Sequence, residues 1–167
     1  MANNENENLS ASLEDYLEAI FNLAGEAGVA RSKDISRSLA VSGASVTGAL
    51  RTLKQKGLAN HKPYGFVTLT DTGKAAAAEI VRKHNILKCF FINILGIDAE
   101  TAQHAACKAE HILGPNVIAR LLSFIEFVTA SGRNGYDVAD QFKRFWESTN
   151  KANPNNSTDM QRQQYGN

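Results

Sequence analysis

No aspartate or glutamate occurs between residues 35 and 70, although the 167-residue chain carries 17 of them. Arg37, Arg51, Lys54, Lys56 and Lys62 all fall in that window, so a protein with a formal net charge of only +1 concentrates a basic surface in one segment. Such a surface suits a polyanion partner. Cysteine is scarce, with Cys89 and Cys107 the only two, and two do not make a disulfide framework. No run approaches the ~18–20 apolar residues of a membrane span. The opening Met-Ala-Asn-Asn-Glu-Asn-Glu-Asn lacks an apolar signal region. The expectation is a soluble, cytoplasmic protein with reduced thiols and no membrane partner. Hydrophobic residues make up 43% of the chain, enough for the core of one ordinary domain or two small ones.

Residues 1–8 read as disordered. Ser10 or Ser12 can cap a first helix running to about Ala24, with Leu13, Leu17, Ile20 and Leu23 or Ala24 as its apolar stripe. Asp15 and Glu18 stand at i, i+3 on it. They are either acids favoured by the helix dipole or a pair able to grip one cation. After a Gly25–Ala30 turn, Ser32 is placed to cap a short helix over Lys33–Leu39. A Gly-containing turn and a second helix, Ala44–Gln55, follow. Strands at Leu58–Lys62 and Phe66–Leu69 flank the tight turn Pro63-Tyr64-Gly65. Helix, turn, helix and β-ribbon together make a winged helix, a far more specific pattern than any one part.

The second helix of such a motif lies in the DNA major groove, where phosphates repel carboxylates, and that accounts for the missing acids. Ser42, Ala44, Ser45 and Thr47 sit at its N-terminal end, where short hydroxyls and methyls suit modest base readout, including thymine methyl contacts. Arg51, Lys54 and Lys62 are placed for phosphates, and Tyr64 at the wing tip for the backbone. The bland alternative is a merely solvated basic face.

A long helix is expected from Gly73 to Leu95, carrying His84, Lys88 and a packed, inert Cys89. Gly96 ends it and Asp98 caps the next, which stops at Gly114-Pro115. That helix holds His104, Cys107, Glu110 and His111. Cys107, Glu110 and His111, at i, i+3 and i+4, share one face. They are a metal-ligand set of mixed hardness, or a small apolar Cys beside a solvated Glu and His. An amphipathic helix over Pro115–Ala130, a turn over Ser131–Gly135 and a last short helix over Tyr136–Trp146 complete the pattern. From Ser148 the Asn-, Gln- and Ser-rich tail reads as disordered. The fold class is therefore mainly α: a winged helix-turn-helix DNA-binding domain at 9–75, then an all-helical domain at 76–147, and a tail at 148–167.

The winged helix, the acids of Leu13-Glu-Asp-Tyr-Leu-Glu18, the Val81-Arg-Lys-His84 segment and the Cys107-Lys-Ala-Glu-His111 cluster occur in one order and spacing. In these the chain resembles the diphtheria-toxin-repressor family of metal-dependent transcriptional regulators, over about residues 10–147. The resemblance implies a homodimer that binds a palindromic double-stranded operator when loaded with Fe2+ or Mn2+ and represses metal-homeostasis genes. It implies the two-domain, manganese-regulator-like architecture. It makes Asp15 and Glu18 of the DNA-binding domain, with His84, Cys107, Glu110 and His111 of the helical metal-binding and dimerisation domain, the metal ligands. Asp15 and Glu18 match the manganese type, whereas Cys107 matches the iron type and tilts the choice to Fe2+. Iron regulators place an acid where this chain has Lys88 and a His where it has Gln103; His104, one place off, is the candidate for an ancillary site.

Two rival readings belong to other classes. A helical di-metal enzyme needs two Glu-x-x-His repeats, and the chain has none, so no enzymatic activity is expected. A metal-independent winged-helix regulator would use Cys107 as a redox switch.

Overall fold

The structure, a computed structural model, describes residues 9–62, 65–132 and 137–152. Residues 1–8, 63–64, 133–136 and 153–167 lie outside the described residues, and with them the expected disordered N-terminus, the wing tip expected at Tyr64, most of the turn expected over Ser131–Gly135 and most of the expected tail. Two compact units are present, one ending at Asn85 and one starting at Ile86.

In the first unit, α1 (Ala11–Ala24) starts where the Ser10 hydroxyl accepts the Leu13 N–H, one of the backbone donors that a helix start leaves open. Tyr16, Leu17 and Ile20 face inward and are buried. Leu23, expected to share that stripe, is 39% exposed, because Ala24 rather than Leu23 continues the i, i+3, i+4 row through Leu17 and Ile20. A strand the sequence does not announce, β1 (Ala30–Arg31), precedes α2 (Ser32–Ser38) and α3 (Gly43–Gln55). Strands β2 (Ala59–His61) and β3 (Phe66–Leu69) form the ribbon, and the antiparallel sheet runs in the order β1-β3-β2. The winged helix-turn-helix is thus present.

Ser32 does not cap α2. It is the first helical residue, and its hydroxyl instead donates to the Gly65 carbonyl at 3.1 Å. Ser42 caps α3, accepting the Ser45 N–H at 3.1 Å. The core gathers Leu17, Ile20, Ile35, Val46, Leu50, Leu53 and Val67 from all these elements, and Ala77 and Ile80 from the next helix. Each Leu, Ile or Val among them, fully buried, contributes ~1.5–3 kcal/mol.

Helix α4 spans Asp71–Cys89 and then widens to a π turn at Phe90–Ile94, instead of running regularly to Leu95. Ala77 and Ile80 belong to the first core, whereas Ile86 and Leu87 belong to the second. The two compact units therefore divide inside α4, after Asn85. His84 falls on the first side of that division.

In the second unit, α5 (Ala99–Ala109) is capped by Asp98, which accepts the Thr101 N–H at 2.9 Å. Its buried face consists of Ala102 and Ala106, small residues that let a helix pack closely. Ile86, Leu87, Ala106 and Ile118 form the centre of this core, joined by Phe91, Leu121 and Ile125. Helix α6 covers Pro115–Gly132 and α7 covers Val138–Ala152. α7 starts two residues later than expected and runs through residues 148–152, expected to be disordered tail. The Ser148 and Thr149 hydroxyls fold back onto the Phe145 carbonyl at 2.8 and 2.9 Å, hydrogen bonds a helix interior accommodates.

Candidate metal centre and DNA-binding surface

The first unit brings together two candidate ligands from opposite ends of its sequence. Ile80 and His84 are one turn apart on α4, so the packing of Ile80 into the core with Leu17 and Ile20 carries His84 toward α1. His84 is 6% exposed. A ring nitrogen of His84 and a carboxylate oxygen of Glu18 lie within 4.8 Å of each other. Asp15, half-buried, stands one turn before Glu18 on α1.

The second unit assembles the other three. Its regular helix ends at Ala109, earlier than the sequence pattern suggests, but Glu110 keeps helical dihedral angles (φ −60°, ψ −29°) and its N–H still reaches the Ala106 carbonyl at 3.0 Å. The i, i+3, i+4 arrangement therefore survives the helix end. One ligand atom from each of Cys107, Glu110 and His111 lies within 4.8 Å of the others. Glu110 is 1% exposed, and its Oε1 sits 3.5 Å from Nε2 of His111. A carboxylate taken out of water is costly unless it is matched by positive charge. A divalent cation is a match for a thiolate, a carboxylate and an imidazole together, so the donor set fits a transition metal. His104 is exposed, and no candidate ligand group among the described residues includes it. Cys89 is half-buried and accepts from the Asn93 amide at 3.2 Å, apart from these groups.

The DNA-facing candidates among the described residues are alike in exposure. Ser42, Ala44, Ser45, Thr47, Arg51, Lys54 and Lys62 are all exposed, whereas Val46, Ala49, Leu50 and Leu53 of the same helix are buried. The hydroxyls are partly occupied: Ser42 and Ser45 pair at 2.9 Å, and Thr47 donates to the Gly43 carbonyl at 2.9 Å. One exposed cation escapes the sequence pattern. Arg31, N-terminal to the acid-free window, stands over the Phe66 ring with its guanidinium 5.3 Å from the centroid. Its strand is two residues long, too short for an alternation signal, and only the pairing with β3 reveals its place.

A winged helix with an acid-free exposed face, followed by a helical unit with a thiol–carboxylate–imidazole cluster, is the make-up of a DNA-binding regulator that responds to a metal. Comparison with known proteins agrees. Residues 8–67 match the iron dependent repressor N-terminal DNA binding domain, and residues 70–135 match the iron dependent repressor metal binding and dimerisation domain. The chain belongs to this family of metal-dependent transcriptional repressors. It is 35% identical over 119 residues to an uncharacterized HTH-type transcriptional regulator of Methanocaldococcus jannaschii, covering 71% of this chain and 95% of that one. It is 34% identical over 116 residues to the HTH-type transcriptional regulator MntR of Bacillus subtilis, covering 70% and 81%. A manganese-dependent transcriptional repressor solved in complex with manganese aligns with TM-score 0.62 and 32% identity, over 69% of this chain and 53% of the other. The alignment thus spans about half the length of that solved chain. Family membership favours metal-dependent repression over the thiol-switch reading.

Proposed function

We propose that Asp15, Glu18 and His84 of the first unit and Cys107, Glu110 and His111 of the second are ligands of a divalent corepressor ion, Fe2+ or Mn2+. The observation that carries this is the convergence of half-buried Cys107 and His111 on the buried Glu110, within the span that matches a metal binding domain. Bound there, the ion supplies positive charge that offsets the carboxylates. Without it, Asp15 and Glu18, one turn apart on α1, oppose each other by charge repulsion. Ligation therefore favours the state that binds DNA, and by linkage DNA raises the affinity for metal.

The thiolate of Cys107 tilts the selection toward Fe2+, whereas the acids suit Mn2+ equally well. Two copies of the chain form the working unit and read a palindromic operator through α3, with Ser42, Ala44, Ser45 and Thr47 at the bases, and Arg51, Lys54, Lys62 and the wing-tip Tyr64 at the phosphates. The half-exposed Phe124, with Phe127 (62% exposed) on α6 and Phe145 (66%) on α7, supplies apolar surface in the helical unit for the second copy. The regulated genes belong to metal homeostasis, and the work is done in the cytoplasm; no helix among the described residues is long and apolar enough to cross a membrane.

The test is a gel shift on promoter fragments under reducing conditions, with Fe2+, Mn2+, Zn2+ or EDTA. Binding that appears with metal and disappears with EDTA is expected. Binding indifferent to both sinks the corepressor reading.

A further inference from the structure

The sheet of the winged helix places two basic residues on the strands either side of one aromatic residue. Arg31 of β1 is the direct antiparallel partner of Phe66 in β3, and directly opposed residues project from the same face. On the other edge, His61 pairs with Val67 and the Lys62 N–H donates to the Phe66 carbonyl at 2.8 Å. The register therefore puts Lys62 opposite Phe66 as well. Arg31, Phe66 and Lys62 make one row across the three strands, at the first sheet position after the wing turn.

The row is held in place. The Ser32 hydroxyl, next to Arg31, donates to the Gly65 carbonyl, next to Phe66, at 3.1 Å. Gly65 has a φ of +76°, a conformation that strains residues with a side chain and so marks a specified turn. The Arg31 guanidinium is exposed and lies 5.3 Å from the Phe66 centroid. The nearest acid in sequence, Asp34, pairs with Arg37 at 3.4 Å. A guanidinium stacked on a ring keeps its planar fork of N–H donors directed outward, pre-organised for a bidentate anion. β2 follows α3 within four residues and packs against it, so the row borders the surface assigned to DNA.

We propose that Arg31 grips a DNA backbone phosphate beside the wing, with Phe66 as the residue that positions it and Lys62 as its partner across the strand. The inference rests on the DNA-binding reading of α3 and deepens it. A phosphate contact carries no sequence information, so its loss weakens all duplexes alike and lowers the salt dependence of binding.

The experiment measures binding of the full-length, Mn2+-loaded chain to a mixed-sequence duplex by fluorescence anisotropy over a range of salt. For Arg31→Ala, with Arg31→Gln as a second variant, the slope of log K against log salt is expected to fall by about 0.9 per bound protomer. Affinity at low salt is expected to fall about tenfold. Phe66→Leu keeps the charge; it is expected to keep the slope and lose about two- to fivefold in affinity, with Phe66→Tyr restoring it. Thermal midpoints of the variants report that the fold is intact. If Arg31→Ala and Arg31→Gln leave slope and affinity unchanged while Arg51→Ala lowers both, the phosphate role of Arg31 is overturned and the reading of α3 stands. If Phe66→Leu equals the parent, its positioning role is overturned. A parent chain that binds no duplex at any salt overturns both readings together.

Discussion

A carboxylate oxygen of Glu18 and a ring nitrogen of His84 lie within 4.8 Å of each other in one compact unit, although one side chain comes from α1 and the other from late in α4. The pair is built by the core beneath it, where Leu17 and Ile20 pack with Ala77 and Ile80. Removing either partner should leave that core untouched. His84→Ala and Glu18→Gln are expected to weaken metal binding by at least ~10–100-fold, the loss that even supporting residues of metal sites produce. The metal-dependent rise in thermal midpoint should shrink accordingly, since a ligand at 100 times its Kd stabilises by about 2.7 kcal/mol. An undiminished rise in both variants would remove the pair from the ligand set.

Cys107 should set which metal activates. A thiolate favours the softer end of the divalent series, and a carboxylate the harder. Cys107→Glu is therefore expected to move activation of operator binding toward Mn2+ relative to Fe2+. Unchanged preference across a metal series in the same anisotropy assay would count against Cys107 as a direct ligand.

Much of this was legible in the chain because the signals are local. Ser10 and Asp98 each end a non-helical stretch with a side chain that accepts an N–H three residues on, and the acid-free window contains the exposed face of α3. That Cys107, Glu110 and His111 share one face could be read from helical spacing, whereas the ligand role came only with the resemblance. What escaped depends on contacts remote in sequence. β1 exists through its pairing with β3, and Ser32 leaves its capping position for a carbonyl of Gly65. The π turn at Phe90–Ile94 and the reach of α7 to Ala152 are likewise set by packing and helix-end hydrogen bonds, which a periodicity does not encode.

Gly73 tests the join between the wing and α4. Its N–H is taken by the Thr70 hydroxyl, which itself donates to the Gly57 carbonyl at 2.7 Å, and a Cβ added at Gly73 would run into the backbone carbonyl of Leu58. Backbone cannot step aside as a flexible side chain can. Gly73→Ala is expected to cost roughly 1–3 kcal/mol, the usual range for overpacking. Urea unfolding measures it; a variant as stable as the parent would show that the approach of α4 to Leu58 relaxes freely.

Asp98 makes the start of α5 sensitive to acid. The Thr101 backbone N–H, followed by the Thr101 side chain, holds its carboxyl below the usual carboxylate range. A depressed folded value stabilises the protein above the unfolded value, near 4, and the contribution is lost as pH falls through the folded one. Asp98→Asn keeps an acceptor for the cap but cannot titrate. Its stability is expected to fall less steeply than the parent's below about pH 4, measured by unfolding across that range. Parallel pH profiles would show that the Thr101 contact does not couple to stability.

Gly48 is the counterpart of Gly73 and should respond with the opposite sign. It lies mid-way along α3 on the exposed face, one turn from Ala44 and near Arg51, and an added Cβ there meets nothing within 4 Å. A glycine in a helix interior costs up to ~1 kcal/mol relative to alanine, and no internal contact of this helix requires one. Gly48→Ala is therefore expected to raise the thermal midpoint by about 2–4 °C. The same methyl projects from the surface offered to the groove, so operator affinity is expected to fall while stability rises. A structural glycine would move both quantities down together. A variant that gains stability with operator affinity intact would show that α3 does not approach DNA closely at this turn.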